Sequence, residues 1–386
     1  MDRLCMKPDL GIYYEMLDSI ASTEPSLSFL SKQWHDIDEW RRQARSKVLE
    51  LLAFDPPKCP FNSQVESSEE TDGITCETIS YDMPFGPRTR GFFIYPKAHS
   101  EKLPSVVGLH DHGSFFYFGK EKLVELRNES KVLVEFKQKY YGARSWATEL
   151  AKRGFAVLVV DVFLWGSRRI PVESINDELQ RRFDGLEVGS DEYIRRYNEF
   201  WEISECLMVV DTILNAGTSW PGIYSYEDRR SVDYLLTRDE VDPGRIACGG
   251  LSGGGLRSIF LTGVDARIRC GFCVGFMTTI RGILRNHIRC PPGHGLLMYA
   301  PQLFRFLDLP DIISLHAPQP LMVQYNLEDE LFTEQSQRQA DEKIRTVYSR
   351  QGSPDNYVGK FYPGVHKFDG KMQEDVFNWL KEQLLK

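Results

Sequence analysis

A serine, a histidine and a carboxylate that could together split an acyl bond occur in this chain, each in a loop. The serine is Ser252, within Gly249-Gly250-Leu251-Ser252-Gly253-Gly254-Gly255-Leu256. Glycine linkers are flanked by polar residues. This run instead joins the strand-like Arg245-Ile246-Ala247-Cys248 to Ile259-Phe260-Leu261, where apolar residues continue at helical spacing. The context predicts a tight strand-to-helix turn. Gly250, Ser252 and Gly254 make the pattern G-x-S-x-G, whose small neighbours suit a crowded serine. A phosphate-binding loop is disfavoured, since the lysine of G-x-x-x-x-G-K-[ST] is absent.

A serine hydroxyl is a weak nucleophile until a base takes its proton and an acid orients that base. After a serine in such a turn the expected order is acid, then histidine, each following a late strand. Pro320-Leu321-Met322-Val323-Gln324-Tyr325 reads as a strand and leads into Asn326-Leu327-Glu328-Asp329-Glu330. The last strand leads into Pro363-Gly364-Val365-His366. Of the eight histidines, His35, His99, His110, His112, His287, His294 and His316 all precede the acid loop, which leaves His366 as the base. Asp329 is the preferred acid, with Glu328 and Glu330 open because spacing cannot rank neighbouring carboxylates.

The tetrahedral intermediate needs two backbone N–H donors. Gly253 supplies one, and Gly113 or Ser114, after His110-Asp111-His112, the other. A metal site at His110 and His112 is disfavoured for want of further ligands at zinc spacing. No metal or organic cofactor is expected.

These residues need a frame. From Pro104 onward apolar strands alternate with loops and helices: 105–110, 155–161, 245–250, 270–274, 320–325 and 358–362. Strands buried on both faces and joined by helices predict a mostly parallel, doubly covered sheet. Two earlier strands, 75–81 and 89–96, read as an antiparallel hairpin, and 37–52 as a helix. The expected organisation is an N-terminal helical extension over 1–60 and an α/β domain over 61–386. Connections at 114–142 and 166–225 are too long for simple crossovers; much of the second, which contains a helix near 197–211, is read as lid or rim, the alternative being ordinary packing helices with a surface loop.

With 47 basic and 55 acidic residues the net charge is −8, which disfavours nucleic acid or an anionic membrane as the main partner. The start carries no apolar signal core, and no run of eighteen apolar residues occurs, so a soluble, cytoplasmic chain is expected. A homo-oligomer is left open. The eight cysteines are scattered; Cys270 and Cys273 sit three apart on one expected strand and face opposite ways, so redox or zinc chemistry there is disfavoured.

The G-x-S-x-G turn, His112-Gly113, Asp329 and His366 together resemble the α/β-hydrolase superfamily. Leu109-His110-Asp111-His112-Gly113, Asp161-Val162-Phe163-Leu164-Trp165-Gly166-Ser167-Arg168-Arg169 and Trp40-Arg41-Arg42-Gln43-Ala44-Arg45 are similar to its dienelactone hydrolase and acetyl xylan esterase-like branch. The resemblance spans roughly residues 35–385. Dienelactone hydrolases proper use a cysteine where this chain has Ser252, so it implies a serine-type carboxylesterase acting on small acyl groups carried by a sugar or similar alcohol. The alternatives are a peptidase, a carbon-carbon bond hydrolase, or a binding protein without catalysis. Trp165, Arg168 and Arg169, beyond a strand end, are candidates to contact substrate, with a flat face for a sugar ring and two guanidinium forks; the alternative is that an arginine pairs with an acid such as Asp161 and holds the loop.

Overall fold

The computed structural model describes residues 11–31, 34, 36–286 and 297–385. His35, His287, His294, Cys5 and Cys290 lie outside the described residues, as does the side chain of Cys206. Nine strands form one sheet: β1 (Gln64–Thr71), β2 (Ile74–Tyr81), β3 (Thr89–Pro96), β4 (Leu103–Gly108), β5 (Ala156–Val160), β6 (Val241–Leu251), β7 (Cys270–Val274), β8 (Leu321–Asn326) and β9 (Tyr357–Tyr362). Their order is β1-β2-β3-β5-β4-β6-β7-β8-β9. Pairing is antiparallel from β1 to β5 and parallel from β5 to β9.

The expected β2–β3 hairpin is present, in the register Thr78 opposite Phe92. Sequence reading missed β1. Its residues, Gln-Val-Glu-Ser-Ser-Glu-Glu-Thr, are all exposed, so no apolar alternation marks it as a strand.

Both faces of the parallel half are covered. Cys273 packs in the core with Leu256, Ile259 and Phe260, whereas Cys270 packs on the other side with Trp146, Val376 and Phe377. The two thiols therefore point to opposite faces, as the alternation of a strand requires, and burial pushes the Cys273 thiol up to about 12.

The helix Ile37–Leu52 starts at Asp36, whose side chain accepts the Asp38 N–H. It buries Trp40, Ala44, Val48 and Leu52 at intervals of four, in the core that also holds Leu256. The segment read as an extension thus contributes a wall of the main core.

The connection at 166–225 holds short helical turns, the helix Asp191–Ser204, a π-helical stretch Glu205–Val210, and the helix Asp211–Asn215 before Trp220–Leu235 begins. Phe183, Tyr193, Tyr197, Phe200 and Trp201 tie it to the core. Among the described residues, no helix is long and apolar enough to cross a membrane.

Candidate active site

Ser252 sits between β6 and the helix Gly253–Val264 with φ 57° and ψ −120°, a backbone conformation rare for any residue with a Cβ. Such strain costs about 1–3 kcal/mol and persists only where the surroundings hold it. Here the Ser252 N–H donates to the Val274 carbonyl (2.8 Å), and the Ser252 carbonyl accepts the Leu256 N–H (2.9 Å). The flanking glycines follow from one contact. A Cβ on either Gly250 or Gly254 would stand 2.0 Å from the carbonyl oxygen of Leu109, at the end of β4. The neighbouring strand end comes so close to the turn that both positions must lack a side chain.

His366 follows β9 and Asp329 follows β8, adjacent strands in the sheet. His366 Nδ1 is 2.6 Å from Asp329 Oδ2. Asp329 is fully buried, and its other oxygen accepts the Leu331 N–H (2.9 Å). Among the three adjacent carboxylates, only Asp329 meets the imidazole. Glu328 instead braces the histidine loop: its Oε1 accepts the Gly364 N–H (3.2 Å) and its own N–H donates to the Gly364 carbonyl (3.1 Å). Glu330 is exposed.

His366 Nε2 is buried and has no hydrogen-bond partner. Gly275, next to the Val274 that holds Ser252, lies beside this ring: a Cβ there would be 3.2 Å from His366 Cε1. The serine turn and the imidazole therefore meet around the end of β7.

His110, Asp111 and His112 fall just beyond β4, not on it. A Cβ on Gly253 would stand 2.7 Å from the His112 backbone nitrogen, so this turn closes over the start of the serine helix. As the first helical residue, Gly253 has an N–H with no acceptor inside the helix. Ser114 adopts φ 50° and Gly113 φ 58°. The Ser114 N–H is spent on His112 Nδ1 (2.9 Å), so it serves an oxyanion only after that bond yields.

A buried polar cluster fixes the turn. Lys122 Nζ donates to the carbonyls of Asp111 (2.9 Å) and His112 (3.0 Å) and lies 3.3 Å from Asp111 Oδ2, while the Tyr141 hydroxyl donates to Asp111 Oδ1. Burial lowers the Lys122 ammonium to about 8, against the pull of Asp111. Burial, with Arg257 and Lys122 nearby, also drives His110 well below its ordinary value and keeps it neutral. Sequence reasoning missed this support, because Lys122 and Tyr141 lie far along the chain from what they hold. Among the described residues, no group of three or more His, Cys, Asp or Glu side chains could hold a metal ion.

The substrate residues expected beyond β5 divide. Trp165 has both faces occupied, stacked on Phe116 (5.2 Å, 19°) and on Trp220 (5.7 Å, 27°), and is 2% exposed. No face is left for a sugar ring. Arg168 turns inward: its guanidinium is paired with Glu227 (2.5 Å) and donates to the carbonyls of Phe85 (2.8 Å) and Pro87. In both, neighbours in the core take the groups that a substrate contact would need, and for Arg168 this is the loop-holding alternative, with Glu227 as the acid in place of Asp161. Arg169 stays half-buried, over the Tyr117 ring (4.4 Å to its centroid) and bonded to the Gly166 carbonyl (2.9 Å).

No family model matches the chain. It is 24% identical over 317 residues to the "Putative hydrolase YtaP" of Bacillus subtilis (strain 168), covering 82% of this chain and 91% of that protein. Among solved structures it is similar to a "putative acetyl xylan esterase" from Bacteroides fragilis NCTC 9343, with TM-score 0.65, 18% identity, and 92% of this chain and 82% of that one covered. The fold is that of an α/β-hydrolase. A glucuronoyl esterase from Solibacter usitatus has the same fold, with TM-score 0.60, 16% identity, and 94% of this chain and 98% of that one covered. In this α/β-hydrolase fold Ser252, Asp329, His366 and the turn after β4 all lie at the carboxyl ends of parallel strands, where open α/β sheets gather their sites.

Proposed function

We propose that the protein is a serine carboxylesterase that removes a small acyl group, such as acetyl, from a sugar or a similar alcohol. The observation that carries the reading is Ser252 held in a strained turn on the end of β7, where Gly275 lies against an imidazole whose Nδ1 is fixed by buried Asp329 and whose Nε2 is unpartnered. Asp329 sets the tautomer that leaves Nε2 free to accept the serine proton.

Ser252 Oγ attacks the ester carbonyl while His366 Nε2 takes the hydroxyl proton, and the C=O electron pair moves onto oxygen. Gly253 N–H and the Gly113–Ser114 turn stabilise that oxyanion. Collapse breaks the C–O bond to the alcohol, which leaves with the proton from His366. Water, deprotonated by the same Nε2, then cleaves the acyl-serine, releasing the acid and restoring Ser252.

The sugar portion rests on the likeness to proteins named as acetyl xylan and glucuronoyl esterases, and Arg169 at the rim is its candidate contact. The same reading takes the substrate as a small cytoplasmic ester and leaves a homo-oligomer open; cell fractionation and light scattering decide these points.

The test is labelling by a fluorophosphonate, followed by a panel of acetylated sugars and short p-nitrophenyl esters. The expected result is labelling and turnover in the wild type, both absent in Ser252→Ala. A folded wild type that takes no label would return the chain to a binding role.

A further inference from the structure

A second constellation lies away from Ser252, where the helix Ile37–Leu52 crosses the ends of two others. Arg41 and Arg45, four apart, share one face of that helix. Arg45 donates to the carbonyls of Gly263 and Leu315 (both 2.9 Å). Gly263 is near the end of the serine helix, and Leu315 caps Leu309–Ser314. Arg45 thus answers the negative ends of two helix dipoles.

Arg41 has no such outlet. Its Nη1 donates to the exposed Asp38 (2.7 Å), but Nε and Nη2 are buried with no hydrogen-bond partner. Buried guanidinium donors without acceptors are costly, so their presence asks what meets them. Beside them is a cleft of about 500 Å³ lined by Asp38, Arg41, Arg42, Arg45 and His316 among others.

His316, 4% exposed, has a buried Nε2 that also lacks a partner. Its other ring nitrogen faces the Pro320 carbonyl and therefore carries the proton, which leaves a lone pair on Nε2. Burial lowers this imidazole to about 3, so it is neutral. The cleft accordingly offers cationic donors together with one neutral acceptor. A carboxylate or sulfate satisfies only the donors, whereas a phosphate that keeps one P–OH satisfies both.

We propose that this cleft is a phosphate-binding site, with Arg41, and Arg42 once it leaves its ion pair with Glu39, on the unprotonated oxygens and His316 Nε2 accepting from the P–OH. It lies at the far end of the helix that starts at Ser252, so its ligand is not the ester.

Titration calorimetry near neutral pH in a zwitterionic buffer, with inorganic phosphate as the probe, tests this. One equivalent should bind saturably, and sulfate at equal ionic strength should bind at least about tenfold more weakly for want of a proton to donate. Arg41→Gln and His316→Phe should each weaken phosphate by a similar factor. Arg42→Gln, at an exposed position, serves if either of those fails to fold. Ser252→Ala should bind as the wild type does, which separates this site from the proposed esterase. Glycerol phosphate bound as well as inorganic phosphate assigns the site to a phosphorylated molecule, and inorganic phosphate bound alone assigns it to the free ion. Absence of binding, sulfate binding equal to phosphate, or full affinity in the folded variants would overturn the proposal.

Discussion

Arg257, in the helix that begins at Ser252, gives two N–H bonds to Asp228 (3.0 and 2.5 Å) and a third to the carbonyl of His110 (3.0 Å). Both side chains are almost wholly buried. One guanidinium therefore ties the serine helix to the helix Trp220–Leu235 and to the turn after β4 that is proposed to complete the oxyanion site. Arg257→Met should strand Asp228 as a buried unpaired charge and cost about 3–5 kcal/mol. Arg257→Lys keeps the charge but loses the fork. It should lower kcat on p-nitrophenyl acetate roughly tenfold, the worth of one charge-assisted bond, with a smaller fall in melting temperature. A lysine variant with a lower melting temperature and unchanged kcat would show that the clamp holds the fold and not the site.

Asp329→Asn should cut kcat/KM by several orders of magnitude, since an amide cannot hold the imidazole in the productive tautomer. Glu330→Gln should leave it within about twofold, because that side chain is exposed. Glu328→Gln retains an acceptor for the Gly364 N–H and should stay within about tenfold. Kinetics on a short p-nitrophenyl ester rank the three; loss at Glu328 with a silent Asp329 would reassign the acid.

These residues differ in how legible they are from sequence. The places of Ser252, Asp329 and His366 after β6, β8 and β9 could be read because the chain order of strands and loops fixes which strand end each one follows. The parallel strands were legible for the same reason: burial on both faces leaves apolar runs. β1 was not, because a fully exposed edge strand carries no such mark. Trp165 and Arg168 show the other limit. A position after a strand end says that a residue is near the rim, but whether its side chain turns out or in depends on distant partners, here Phe116, Trp220 and Glu227. The helix Ile37–Leu52 was read to its last residue from its apolar spacing, whereas the bonds from Lys122 to the 111–112 carbonyls are tertiary contacts that leave no periodic mark in the sequence.

That lysine gives a pH prediction. Its folded value of about 8 lies below its ordinary 10.5, so between those values the unfolded chain holds more protons than the native one. The contribution of this group to stability therefore rises as pH increases from 8 toward 10.5, and below pH 8 the full burial penalty is carried. Lys122→Met should be less stable throughout, because Asp111 loses its cation. The melting-temperature gap between wild type and variant should widen above pH 8. A gap that stayed constant from pH 7 to 10 would mean that Lys122 keeps its proton across the range.

The two arginines after Trp165 should separate by kinetics and stability. Arg168 is held by Glu227 and two carbonyls inside the protein, so Arg168→Ala strands a buried carboxylate. It should lower the melting temperature and depress turnover of large and small esters alike. Arg169, half-buried against Tyr117, loses little packing on truncation. If it touches the alcohol portion, Arg169→Ala should raise KM for an acetylated oligosaccharide several-fold and leave p-nitrophenyl acetate nearly unchanged, since the small ester does not reach the rim. Equal loss on both esters in Arg169→Ala, with a lowered melting temperature, would assign Arg169 to the same structural role as Arg168 and remove the last of the three rim residues from substrate recognition.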